Sequence, residues 1–118
     1  MKRPEDFTEI YLCRTFLDFR RGKETMIAII ENQMQRQAAS GALFGFINRR
    51  KNRIRCLYWD KTGYAQWNKT LEEDLFAWPQ LTNGQAITLT HRELSWLLDG
   101  VDIERIKPHE LKHYPLSS

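Results

Sequence analysis

The sequence predicts an α+β fold, with a single antiparallel β-sheet meander and one long and one short helix packed against it. Three observations carry that prediction. Between residues 42 and 70, three runs rich in apolar and aromatic residues are separated only by short turns, so they read as consecutive antiparallel strands. Met26, Ile27, Ile30, Met34 and Ala38 recur at three- and four-residue steps, the spacing of one helix face. Thr90-His91-Arg92-Glu93 precedes Leu94, Leu97 and Leu98, so a capping box opens a second, shorter helix. A chain of 118 residues is one domain built on one core, and residues 103–118 read as an irregular tail.

Taken in order, residues 7–14 form a first strand around the β-formers Ile10, Tyr11 and Leu12. Residues 15–22 connect it to a helix over 23–38, which Ser40-Gly41 ends. A nearly continuous apolar strand covers 42–49, a turn follows at 49–52, and a return strand runs from Arg53 to Asp60. There Ile54, Cys56 and Tyr58 alternate with Arg53, Arg55, Leu57 and Trp59. Asp60-Lys61-Thr62-Gly63 has the composition of a type I turn into a third strand over 64–70. Leu75-Phe76-Ala77-Trp78-Pro79 is a short apolar segment stopped by proline, Asn83-Gly84 is a turn signal, and residues 85–89 form a short strand. The last helix runs to about Leu98, where Asp99-Gly100 closes it.

Composition excludes several classes of function. The chain is 42% hydrophobic, 12% aromatic and 28% charged, with no long uncharged apolar run to cross a membrane. No apolar stretch follows Met1-Lys2-Arg3-Pro4, so no secretory signal is expected, and the protein reads as cytoplasmic. Cys13 and Cys56 stand far apart at no metal-binding spacing and read as two reduced thiols.

The formal charge of +3 conceals an asymmetry. Residues 14–69 hold twelve basic side chains against four acidic ones, whereas residues 70–118 hold four against eight. Two clusters produce the excess: Arg20, Arg21 and Lys23, and then Arg49, Arg50, Lys51, Arg53 and Arg55. Clustered cations attract polyanions, and docking them on phosphates releases counterions. The same clusters also suit a solvated hairpin tip. Tyr58, Trp59, Tyr64 and Trp67 lie close by and fit either base stacking or sheet packing.

Catalytic chemistry finds little support. His109-Glu110-Leu111-Lys112-His113 matches the zinc-protease string, but Pro108 and Pro115 bracket it and no usual third ligand follows. Asp18, Asp60 and one of Glu72, Glu73 or Asp74 are the acids a two-metal nuclease would need. Each has a plainer role, as an ion-pair partner, a turn residue and a solvated charge run. No nucleophile elbow and no glycine-rich phosphate loop is present, and no metal or cofactor is expected.

Five blocks then define a resemblance. They are Asp18-Phe19-Arg20-Arg21-Gly22; residues 41–55, with their paired Arg49-Arg50; Trp59-Asp60-Lys61-Thr62-Gly63; Lys69-Thr70-Leu71-Glu72 with Phe76-Ala77-Trp78-Pro79; and residues 94–102, from Leu94-Ser95 to Val101-Asp102. In order and spacing they resemble TnpB, the second-open-reading-frame accessory protein of the insertion sequence sixty-six group of bacterial transposons, over roughly residues 10–103. Lys51-Asn52 stands where that family often has a turn glycine, and the tail after Asp102 does not match. The resemblance implies a non-enzymatic protein that works beside a separate, larger transposase.

The expected function is therefore a non-catalytic accessory factor for DNA transposition. Arg20, Arg21, Lys23, Arg49, Arg50, Lys51, Arg53 and Arg55 would contact DNA phosphates at transposon ends, with Asp18 and Asp60 orienting the basic side chains and turns. The alternative is a protein adaptor that docks on the transposase without touching DNA, using Phe76 and Trp78 as anchors. A metal-dependent nuclease is a distant third. No membrane partner is expected.

Overall fold

The computed structural model describes residues 2–79, 86–103 and 105. Five strands, β1 (Ile10–Cys13), β2 (Leu43–Ile47), β3 (Arg53–Asp60), β4 (Gly63–Thr70) and β5 (Ala86–Leu89), form one sheet in the order β4-β3-β2-β1-β5. Among the elements that lie wholly within the described residues, two are α-helices, α1 (Lys23–Asn32) and α2 (His91–Leu98), and Pro4–Asp6 and Ala38–Ser40 are single 3-10 turns. The meander β2-β3-β4 and the α+β class match the sequence expectation.

The sheet as a whole is mixed, which corrects the purely antiparallel expectation. β1 pairs in parallel with β2, Ile10 opposite Leu43, and antiparallel with β5, Ile10 opposite Leu89. A parallel pair needs a long crossover, and residues 14–42, including α1, supply it. The burial pattern follows from this placement. All four side chains of β1 and all five positions of β2 are buried, because layers cover both faces of the central strands.

On one face, Ile10, Leu12, Leu43, Ile47, Ile54, Cys56 and Tyr58 pack against Leu94 and Leu97 of α2, Phe76, Trp78 and Ile103. On the other, Tyr11, Cys13, Phe44, Phe46 and Leu57 pack against Met26 and Ile30 of α1, and against Met34 and Ala38. The helices therefore lie on opposite faces.

Several element boundaries differ from expectation. The helix expected over 23–38 stops at Asn32. Beyond it the Met34 amide reaches the Ile29 carbonyl at 3.0 Å, the Arg36 amide reaches Ile30 at 3.0 Å, and Gln35 takes a left-handed φ of 55°. This widened turn keeps Met34 and Ala38 on the buried side, so the apolar period outlasts the helix. β1 and β2 are shorter than expected, and a 3-10 turn at Pro4–Asp6 precedes β1 where no element was expected. Lys61 has φ 58°, which excludes type I geometry. A two-residue hairpin loop must match the right-handed twist of its strands, which favours a positive φ there.

The capping box is present: the Glu93 amide donates to the Thr90 hydroxyl at 3.1 Å, and the Thr90 amide donates to Glu93 at 2.9 Å. Gly100 follows the helix with φ 87°, a value glycine adopts without penalty. Lys69 Nζ donates to the Leu98 carbonyl at 2.7 Å, a cation at the negative end of α2. The tail contributes Ile103 to the core, so it is not wholly peripheral. The Asn83-Gly84 turn and the His109–His113 string lie outside the described residues.

The Phe-x-Trp-Pro segment is core. Phe76 and Trp78 are 1% and 6% exposed, and the Trp78 indole N–H donates to the Cys13 carbonyl at 3.0 Å. Gly45 of β2 makes room here. A Cβ on it would come within 2.8 Å of Leu12 Cδ2 and 3.7 Å of the Trp78 ring. Trp78→Ala is expected to cost about 3–5 kcal/mol of unfolding free energy, read from urea denaturation followed by far-UV circular dichroism.

Candidate nucleic-acid interface

The basic return is a tightly specified loop. Asn48 accepts the Lys51 amide on its backbone carbonyl at 3.0 Å, and its side-chain oxygen accepts the amides of Asn52 at 3.1 Å and Arg53 at 3.0 Å. Its side-chain nitrogen donates to Asn52 Oδ1 at 2.7 Å. Lys51 holds φ 62°, a left-handed value that glycine adopts more readily than lysine. From outside, the amides of Leu71 and Phe76 donate to the Asn52 and Lys51 carbonyls at 2.8 and 2.7 Å. Arg49 and Arg50 are exposed at the tip of this braced turn.

The first basic cluster is brought to the same place. The Leu17 amide donates to the Ile47 carbonyl at 2.9 Å, which pins the 14–22 loop to the end of β2 beside the hairpin turn. Phe16, Leu17, Asp18, Phe19 and Arg20 then line one open cleft together with Asn48, Arg49, Arg50 and Arg53. Arg55 Nη1 donates to the Arg21 carbonyl at 3.3 Å, and Arg55 Nε donates to Asn68 Oδ1 at 2.9 Å. Clusters almost thirty residues apart in sequence thus meet on one side of the molecule.

Two phenylalanines organise the cations. Arg49 and Lys51 sit over the Phe16 ring at 5.4 and 5.9 Å from its centroid, and Arg53 and Arg55 over Phe19 at 5.4 and 4.6 Å. Each such contact contributes roughly 0.5–1 kcal/mol at a surface site. The rings hold one side of each cation and leave N–H groups free for an outside acceptor. Phe16 is 40% exposed, one of the two large hydrophobic side chains left at the surface among the described residues. Sequence reasoning missed both rings. The available signal was two phenylalanines, three residues apart, flanking Leu17 and Asp18 in a connection that also carries the first basic cluster.

The charge of the site is barely compensated. Asp18 accepts from Arg20 Nη2 at 2.7 Å and from Nε at 3.1 Å, and also from the Arg20 amide at 3.0 Å. Those hydrogen bonds hold the Asp18 carboxyl at about 2. Among the described residues, no carboxylate forms a salt bridge with Arg49, Arg50, Lys51, Arg53 or Arg55. Burial, and then the like charge of Arg53, pulls the Arg55 guanidinium below its ordinary value. Asp18 orients Arg20 as expected, whereas Asp60 is an exposed turn residue at the far end of β3.

The other candidates separate. Among the described residues, no three of His, Cys, Asp and Glu gather where they would hold a metal ion. Cys13 and Cys56 are free and buried, and burial pushes the Cys56 thiol far up, away from nucleophilic character. Tyr58 and Trp67 pack in the core layer under α2, while Trp59 and Tyr64 face the other side of the sheet. Phe76 and Trp78, expected as docking anchors, are enclosed because the 75–79 segment closes the core over β2. The exposed apolar residue of that segment is Leu75.

Fold and site together define a small mixed-sheet α+β protein with a preorganised cationic cleft and, among the described residues, no assembled metal cluster. The chain belongs to the IS66 Orf2-like protein family, whose model matches residues 8–108, and it accordingly has a transposition-associated accessory role. That match runs beyond the 10–103 span of the sequence blocks. Two relatives come from Sinorhizobium fredii (strain NBRC 101917 / NGR234). The uncharacterized protein y4jC is 33% identical over 96 residues, covering 81% of each chain. The uncharacterized protein y4hO is 26% identical over 93 residues, covering 79% of this chain and 80% of its own. No solved structure matches. Among the described residues, no helix is long and apolar enough to cross a membrane.

The Asp18–Arg20 pair gives a pH prediction. A carboxyl depressed in the fold stabilises it fully above the ordinary value of about 3.9, and that stabilisation is lost as pH falls through the folded value. A carboxyl-detected NMR titration should place the Asp18 midpoint near 2, and Arg20→Ala should return it towards about 3.9.

Proposed function

We propose that this protein is a non-catalytic accessory factor for transposition that binds DNA through the cleft between the 14–22 loop and the β2–β3 turn. Family membership supplies the process. The observation that carries the binding mode is the pairing of Arg53 and Arg55. They occupy alternate positions on one sheet face, share the Phe19 ring and have no carboxylate salt-bridged to them among the described residues. Like charges held together without a counter-ion raise the local potential, and a phosphodiester backbone is the ligand that lowers it.

Arg49, Arg50 and Lys51 extend the contact at the loop tip, and the exposed Arg21, whose carbonyl meets Arg55, and Lys23 at the start of α1 extend it along the chain beyond Arg20. Arg20 already spends two N–H groups on Asp18. The partners are DNA at the ends of the element and, in the same assembly, the separate transposase. The adaptor reading loses its two anchors to the core, and the nuclease reading lacks a gathered set of acids among the described residues.

Fluorescence anisotropy against salt tests the reading. The double variant Arg49→Ala, Arg50→Ala should flatten the slope of log affinity against log salt by about 2. Asp18→Asn should act in the opposite sense. It frees Arg20 while retaining an acceptor for its amide, and should steepen the slope by about 1. Unchanged slopes in both variants would remove the cleft from the mechanism.

A further inference from the structure

The α1-side face of the sheet is covered only in part. α1 lies over β1, β2 and Leu57 of β3. Beyond Leu57, the β4 edge presents Gln66, Asn68 and Thr70 to solvent, with Arg53, Arg55 and Trp59 half-buried beside them. Cross-strand register places Arg55 opposite Asn68, Leu57 opposite Gln66 and Trp59 opposite Tyr64, so these side chains form one row. The row starts at the cationic cleft, passes two exposed amides and ends at an aromatic pair, with Trp59 and Tyr64 edge to face at 5.0 Å. From Arg55 to Trp59 it spans about 13 Å at 3.3 Å per residue.

A polar edge strand is expected in any sheet, because it discourages edge-to-edge association. That explains Gln66, Asn68 and Thr70, but not Trp59. Its indole belongs to neither core cluster and its ring contact is with Tyr64, itself half-buried. An indole in that position, continuous with uncompensated arginines, has the parts of a platform for unstacked bases. Cations track the phosphates, aromatic faces take the bases and amides reach their edges. A duplex keeps its base faces stacked and would meet only the cations.

We infer that this half-open sheet face binds an unpaired DNA strand. Its phosphates lie on Arg53 and Arg55, and its bases lie along Gln66 and Asn68 towards Trp59 and Tyr64. The inference rests on the DNA-binding reading above and adds the strandedness of the ligand and the residues that read it.

The test uses the full chain and labelled 20-nucleotide DNA, single-stranded and as the matching duplex, in fluorescence anisotropy at low salt. The single strand should bind tighter than the duplex. Trp59→Ala should weaken single-strand binding by about 5- to 100-fold and duplex binding far less, while Trp59→Phe should retain most of the affinity. Gln66→Ala, a neutral change at an exposed position that leaves Arg55 and its partner Asn68 intact, should weaken the single strand in the same selective way, which keeps the test valid if Trp59→Ala fails to fold. Equal losses for strand and duplex, or none for the strand, would overturn the inference. If Arg49→Ala, Arg50→Ala abolishes binding to both forms while Trp59→Ala changes neither, the cationic cleft stands and the platform falls. Binding to neither form by the unaltered protein would overturn both.

Discussion

The parallel pairing of β1 with β2 is the constraint on which the molecule turns. Two adjacent strands running the same way cannot be joined by a hairpin, so residues 14–42 must cross one face of the sheet before β2 begins. The crossover lays α1 over Tyr11, Phe44, Phe46 and Leu57, and leaves its first loop at the end of the sheet where β2 turns into β3. The Leu17–Ile47 hydrogen bond fixes that loop in place. Proximity of the two basic clusters is therefore a consequence of topology, not of any attraction between them, since they repel.

The repulsion is managed with a single acid, Asp18, among the described residues. Phe16 and Phe19 lie beneath four cations, the Arg21 carbonyl and Asn68 take N–H groups of Arg55, and Asn48 with the amides of Leu71 and Phe76 braces the turn that displays Arg49 and Arg50. Asp18 neutralises Arg20 alone. A surface selected only for solubility would intersperse charges of both signs. A cleft that keeps its cations aligned but uncompensated is preorganised for an anion, and the rigidity of its supports lowers the ordering cost of binding one. Membership in a transposon-encoded family makes DNA the natural candidate for that anion.

Much of the fold was legible because local signals were strong. β3 was read to the residue, since Ile54, Cys56 and Tyr58 alternate with Arg53, Arg55 and Trp59 and turns bound both ends. The Thr90–Glu93 box placed α2 for the same reason. The end of α1 was not legible, because Met34 and Ala38 continue the apolar period through a turn that is no longer helical. Phe76 and Trp78 misled for a related reason. A large aromatic beside acidic residues looks like an interface anchor, and only the contacts of Trp78 with Cys13 and Gly45 reveal it as part of the core. The basic residues are all visible, but nothing local marks Phe16, or Phe19 within its Asp18–Gly22 block, as the rings that hold four of them.

The sequence by itself determined the class of elements, the meander, the second helix and the excess of positive charge, because each depends on neighbours within a few residues. Tertiary structure alone decided that β1 joins β2 in parallel, that the helices take opposite faces and that two remote clusters share a cleft. Those outcomes rest on contacts between residues far apart in the chain, such as Ile10 with Leu43 and Leu89, for which spacing along the chain holds no record. The side of the sheet left half open, and the indole left outside the core, were likewise decided by how far α1 reaches across it.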